Sequence, residues 1–265
     1  MILIGQLILY IEDNNMNDFY KILRESYFEC ISKITDINRI KYLSDKYIHS
    51  FEVVDCAYKI FGSVDNNEIG ALLLHDIGYF TFYKNNMELH TESGYLYLKT
   101  NYILSEEILA SVKFHESDEK LSRDIDEYCK KRNIMDNSKK ISAIVRKVID
   151  CDIVTNIENA VNNITIEETK KCINEKLIQC LTNNKLGKGG YINNCMDRLI
   201  YMICGLFLLS YGETIEYIKK SLLIEQIKLV MLYCYNNNKT GGYEQVIECL
   251  DNLQYEKNYI KIKTI

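Results

Sequence analysis

No proline interrupts the 265 residues, and apolar side chains recur every three to four positions along nearly the whole chain. Proline removes a backbone donor and clashes with the preceding turn, so its absence lets helices run unbroken. A period near 3.6 is that of helices burying one face. Together these features predict an all-α protein of about ten helices. Segment 44–61 takes Ser44 as N-cap and stops before Gly62, and segment 66–76 begins at Asn66 and stops before Gly78. Segments 87–99, 105–115 and 138–157 follow, with Ser105 as N-cap and Glu106 and Glu107 in a first turn where they complement the helix dipole. Further helices are expected over 16–33, 166–182, 194–211, 213–233 and 243–253, with loops at 186–194 and 236–242. The tail NYIKIKTI alternates weakly, as a strand or a frayed end would. No linker rich in Ser, Gly or Pro divides the chain, so a single domain over 1–265 is expected.

Composition narrows the function classes. Hydrophobic residues at 47% and charged residues at 26% suit a globular protein with a real core. A net charge of −5 argues against polymeric nucleic acid as a partner, because phosphate backbones attract a basic surface. The ten cysteines are scattered without a C-x-x-C pair, which reads as free thiols in a reducing, cytoplasmic setting. The opening MILIGQLILYI lacks a basic flank and is too short to span a bilayer, as is MICGLFLLSY at 202–211. No membrane association is expected.

The sharpest signal is the placing of the histidines. There are four, His49, His75, His90 and His115, each in a different expected helix, and residues 116–265 contain none. His75 and Asp76 end a leucine run, LLLHDIGYF, where an unpaired charge would be costly to bury. His49 shares a face with Val53 and Cys56, and His115 continues the stripe of Ile108, Ser111 and Val112. His90 has Ser93 and Gly94 one turn on, which leaves room for another group to approach. In the fifth segment the stripe Ile141, Val145, Val148 leads to Asp152 as the buried carboxylate. Asp150 follows Arg146 on a more polar face, and the basic pairs at 139–140 and 146–147 read as solvated. A buried aspartate among buried histidines is best explained by a bound cation. Imidazole and carboxylate without clustered thiolate suit Zn, Fe, Mn or Mg rather than an iron–sulfur cluster.

The ordered series IHSFEVVDCA, LLLHDIGYF, LHTESGYLYL, SVKFHES and VIDCDIVTN resembles the HD superfamily of metal-dependent phosphohydrolases, named for its adjacent His-Asp pair. The resemblance covers about residues 40–160 and implies an HD-type helical bundle, with residues 161–265 as a helical extension packed on it. It implies His49, His75, Asp76 and Asp152 as ligands of a primary metal, with His90 and His115 holding a second and Asp76 bridging. One or two divalent ions, from Mn, Fe, Zn, Mg and Ni, are thereby expected, with Asp76 and His115 as catalytic residues. The implied chemistry is hydrolysis of a phosphoester of a nucleotide or another small metabolite by metal-activated water. Lys46, one turn before His49, and Asn156, one turn beyond Asp152, are candidates for contacting substrate. The aromatic run GYFTFYKN is a candidate wall of the pocket. The segment after His115, ESDEKLS, carries no Gly-Tyr-Pro, and HDIGYF lacks a following acidic pair. Cyclic di-GMP esterases and guanosine tetraphosphate hydrolases of the superfamily are therefore not expected. Two other classes share the framework: an HD-fold di-iron oxygenase with the same four-His, two-Asp ligand set, and a non-catalytic HD sensor that binds a nucleotide.

Overall fold

The structure is a computed structural model of the chain and describes residues 17–81, 90–117, 120–256 and 259–262. The opening apolar run, residues 87–89 of the expected third helix and the last three residues of the tail lie outside the described residues. The described residues form thirteen α-helices and one two-stranded sheet, so the fold is all-α as expected, with more helices than the periodicity suggested. No described helix is long and apolar enough to cross a membrane. The chain divides into two compact units, residues 1–151 and residues 152–265.

In the first unit α1 spans Asn17–Ile31, α2 Ile37–Phe61, α3 Asn66–Leu74, α4 Gly78–Thr81, α5 His90–Asn101, α6 Glu106–Phe114 and α7 Leu121–Arg132. Helix α8, Ser138–Asn162, begins there and ends in the second unit. Ser44 is not a cap. The helix starts earlier, at Asp36, whose Oδ1 accepts from the backbone N–H of Asn38 at 2.9 Å and of Arg39 at 3.3 Å. Ser44 sits in mid-helix and donates to the Ile40 carbonyl at 2.8 Å, satisfying its hydroxyl locally. Gly62 ends α2 with φ of 73°, a conformation open to glycine. Helix α3 is capped one residue before the expected Asn66, by a reciprocal box between Asp65 and Glu68. Ser105 caps α6 as expected, accepting from the Ile108 N–H.

Helix α3 is the centre of this unit, with every residue from Ile69 to Leu74 buried. Two neighbours press against it at one glycine: a Cβ on Gly70 would come within 2.7 Å of Ile108 in α6 and 3.0 Å of Phe19 in α1. The basic residues of α8 do not simply face solvent. Lys147 pairs with the cap residue Glu68 at 2.5 Å, and Lys140 pairs with Glu107 at 2.8 Å. Helix α7 was not among the expected segments, although Leu121, Ile125, Tyr128 and Cys129 form its buried face.

In the second unit α9 spans Glu175–Thr182, α10 Cys195–Cys204, α11 Gly212–Lys220, α12 Leu223–Asn237 and α13 Tyr243–Asp251. Short 3₁₀ turns at Glu168–Lys170 and Gly205–Leu208 break up the longer helices expected over 166–182 and 194–211, and a third, Gly189–Tyr191, lies in the expected loop. The expected helix 213–233 is split where Leu222 adopts φ of 56°, a left-handed conformation that a regular helix cannot contain. Asp197, buried at the start of α10, accepts from the backbone N–H groups of Asn174 at 2.6 Å and Asn193 at 2.9 Å. Strand β1, Leu253–Tyr255, pairs antiparallel with β2, Ile260–Ile262, which resolves the tail in favour of a strand.

Gly78 does not end a helix by turning left-handed. It opens α4 and lies so close to α5 that a Cβ would stand 1.8 Å from the His90 carbonyl oxygen and 2.9 Å from the Gly94 nitrogen. Gly94 is approached by the Gly78 backbone in turn, at 2.9 Å. We expect Gly78→Ala to force α4 and α5 apart and to cost about 2–4 kcal/mol of stability, the range of severe overpacking. Gly189→Ala, which meets nothing within 4 Å, should leave the thermal midpoint near that of the native chain in the same melting experiment.

Candidate metal centre

Two of the four histidines stand at helix C-termini, where their rings can turn toward a common point. His75 and His115 are the C-caps of α3 and α6, both in right-handed helical conformation, and His90 is the first described residue of α5. His49 lies inside α2, on the face it shares with buried Val53 and Cys56. His49, His75, Asp76, His90 and His115 are all buried, none more than 5% exposed.

His75 and His115 are oriented by the same device. The Nδ1 of His75 lies 2.7 Å from the Leu72 carbonyl oxygen, and that of His115 lies 3.0 Å from the Val112 carbonyl oxygen. A carbonyl oxygen only accepts, so in each ring Nδ1 carries the proton and Nε2 is turned the other way. Both Nε2 atoms face Asp76: that of His75 stands 3.5 Å from Oδ2 and that of His115 stands 3.3 Å from Oδ1. His90 Nε2 completes the group, 3.2 Å from Asp76 Oδ1 and 3.1 Å from His115 Nε2. Imidazole lone pairs gathered on a carboxylate repel it unless a cation or an extra proton lies between them. Donors of this kind suit a divalent ion, and the carbonyl behind each ring is the usual partner of a metal-ligating histidine.

Among the described residues two groups of three could hold such an ion: His49, His75 and Asp76, and Asp76, His90 and His115. Within each group one donor atom per residue lies within 4.8 Å of the others. Asp76 belongs to both. Burial pushes its pKa upward, but the Lys46 ammonium foremost, together with His75 and His115 when their rings carry a second proton, outweighs that and holds the carboxyl well below the usual carboxylate range. Asp76 is therefore an anion at neutral pH although only 2% of it is exposed.

Lys46 is closer to the centre than its reading as a substrate contact required. Its Nζ donates to Asp76 Oδ2 at 2.7 Å and lies 4.8 Å from the centre of the Tyr79 ring. Tyr79, in the aromatic run expected to line the site, stacks on His90 with ring centres 4.1 Å apart and planes 14° from parallel. Burial and the Asp76 charge push its phenol far above the usual range, so it stays protonated. Residues 82–85 of that run lie outside the described residues. Glu116, not singled out from the sequence, brings Oε1 to 3.8 Å from His90 Nε2. Its only sequence signal is that it directly follows His115.

The two aspartates of α8 reverse the expected burial. Asp150 is fully buried, while Asp152 is half-buried and accepts from Asn156 Nδ2 at 2.8 Å. The stripe failed because Val148, Ile149, Asp150 and Cys151 are all buried; four consecutive residues cover most of a helix circumference, so periodicity no longer marks an inner face. Asp152 and Asn156 belong to the second unit and are not members of the two groups, His49–His75–Asp76 and Asp76–His90–His115.

A family model described as HD domain matches residues 47–163. Comparison with curated proteins and with solved structures returns no match. The match takes in the His-Asp pair at the heart of the buried cluster and runs from within α2 to the end of α8, which supports an HD domain over these residues.

Proposed function

We propose that the chain is a metal-dependent phosphohydrolase acting on a nucleotide or another small phosphate ester. The observation that carries this reading is the pair of buried His-Asp groups sharing one ionised carboxylate, Asp76. A divalent cation held there supplies Lewis acidity and a nucleophile from water at neutral pH. The residues of the chain supply the rest. Asp76 offers Oδ2 on the side of His75 and Oδ1 on the side of His90 and His115, so one or two ions are accommodated in this reading. His75 and His115 hold their rings fixed through Leu72 and Val112, and Tyr79 covers His90. Asp76 and His115 are the catalytic residues of the proposal, and Lys46 and Asn156 its substrate contacts. Asp152 is proposed as the fourth ligand on the HD motif series alone. The shared carboxylate and the four histidines also suit a di-iron oxygenase, and the tests below separate the two.

Metal content and Mn²⁺ titration of the purified protein form the first test. Asp76→Ala should lower affinity at both groups by about 100-fold or more, beyond the loss typical of a ligand's supporting partners. Asp152→Ala should weaken metal binding, whereas Asp150→Ala should instead lower the melting temperature and leave metal stoichiometry unchanged. Equal effects of the two aspartates on metal would refute the assignment of Asp152. In a panel of nucleotides and small phosphoesters with Mn²⁺, we expect release of phosphate or nucleoside that disappears in Asp76→Ala. Two irons per chain with an oxygen-sensitive visible spectrum, and no turnover in the panel, would replace the hydrolase by the oxygenase.

A further inference from the structure

Lys46 and Asp76 are thirty positions apart in the chain, yet the ammonium is in contact with the carboxylate oxygen Oδ2, at 2.7 Å. Oδ2 is also the oxygen that stands 3.5 Å from His75 Nε2, in the group formed with His49. A buried carboxylate needs a cation. Within the cluster Lys46 provides one, from a side chain that is itself only 21% exposed. Oδ1 is turned the other way, toward His90 and His115.

We propose that Lys46 is an internal competitor of the metal: its ammonium holds Asp76 Oδ2 while the His49–His75–Asp76 group is empty, and an entering ion displaces it. Two cations drawn to the same oxygen repel each other, so metal and ammonium cannot both hold it at full strength. The displaced ammonium keeps a partner close by. It already lies 4.8 Å from the Tyr79 ring centre, and an aromatic face attracts a cation. The exchange keeps a cation on the buried carboxylate both before and after metal enters. It also lowers the intrinsic affinity of this group for metal relative to the His90–His115 side. The inference rests on reading the cluster as a metal centre, and its test measures affinity rather than turnover.

The test titrates Mn²⁺ into the full chain after chelation, by calorimetry and by melting, for the native protein, Lys46→Met and Lys46→Arg. Methionine keeps an unbranched stem without the charge, whereas arginine keeps the charge. Lys46→Met should bind Mn²⁺ about 10- to 100-fold more tightly, the factor expected for losing one charge-assisted hydrogen bond to a competitor. Its metal-free form should melt at a lower temperature and gain more from Mn²⁺ than the native chain does, and Lys46→Arg should stay near native affinity. Unchanged or weaker binding by Lys46→Met overturns the proposal. Should Lys46→Met fold only with Mn²⁺, the ion is doing the work of the lysine and the proposal stands; should it fold under neither condition, the affinity of Lys46→Gln decides in the same sense. A native chain that binds Mn²⁺ but turns over no phosphoester refutes the hydrolase reading and leaves the affinity comparison to decide this one. Absence of Mn²⁺ binding in both native and Lys46→Met chains overturns both.

Discussion

An ionised carboxylate in a dry interior is stable only if positive charge or hydrogen-bond donors replace the water it has lost. Asp76 meets this condition, and the first unit is arranged so that it does. Lys46 reaches it from α2 with the positive charge, and the rings of His75, His90 and His115, able to share a cation with it, converge from the adjacent position, from α5 and from the end of α6. Each of those elements is held by contacts of its own: the Asp36 cap and Gly62 bound α2, the Asp65–Glu68 box starts α3, and Ser105 starts α6. The fold can be understood as the frame that delivers four side chains to one anion.

Closeness of approach is the second constraint. Gly70 lets α1 and α6 lie against α3, and the Gly78–Gly94 pair brings α4 and α5 together backbone to backbone. In both places a single methyl group would have to displace neighbouring atoms. The glycine beside the His-Asp pair thus serves packing rather than chain reversal, although its position at the end of a leucine run suggests a helix stop.

Much of this was legible in the sequence where the physics is local. Helical periodicity, Gly62 and Ser105 as end signals, and the burial of His49 and His115 all follow from spacing within one helix. The start of α2 was misplaced because Ser44 has the composition of a cap but bonds within the helix, while the true cap lies eight residues earlier. The split between α11 and α12 depends on one backbone conformation at Leu222 that no periodicity records. Helix α7 was readable, since its buried residues fall at helical spacing. Asp150 and Asp152 could not be ranked by a stripe in a stretch of helix buried on nearly all sides. The contact of Lys46 with Asp76 joins residues thirty positions apart and depends on how α2 packs against α3, which spacing alone does not encode.

The carbonyls of Leu72 and Val112 have a consequence for ligand binding. A histidine free to rotate must give up that freedom when it takes hold of an ion, and the lost rotamer entropy subtracts from affinity. In His75 and His115 the ring is anchored by the last turn of its own helix, so the freedom is surrendered during folding. The helix end acts as a jig: it sets the direction of each nitrogen once, and whatever cation arrives finds both already aimed.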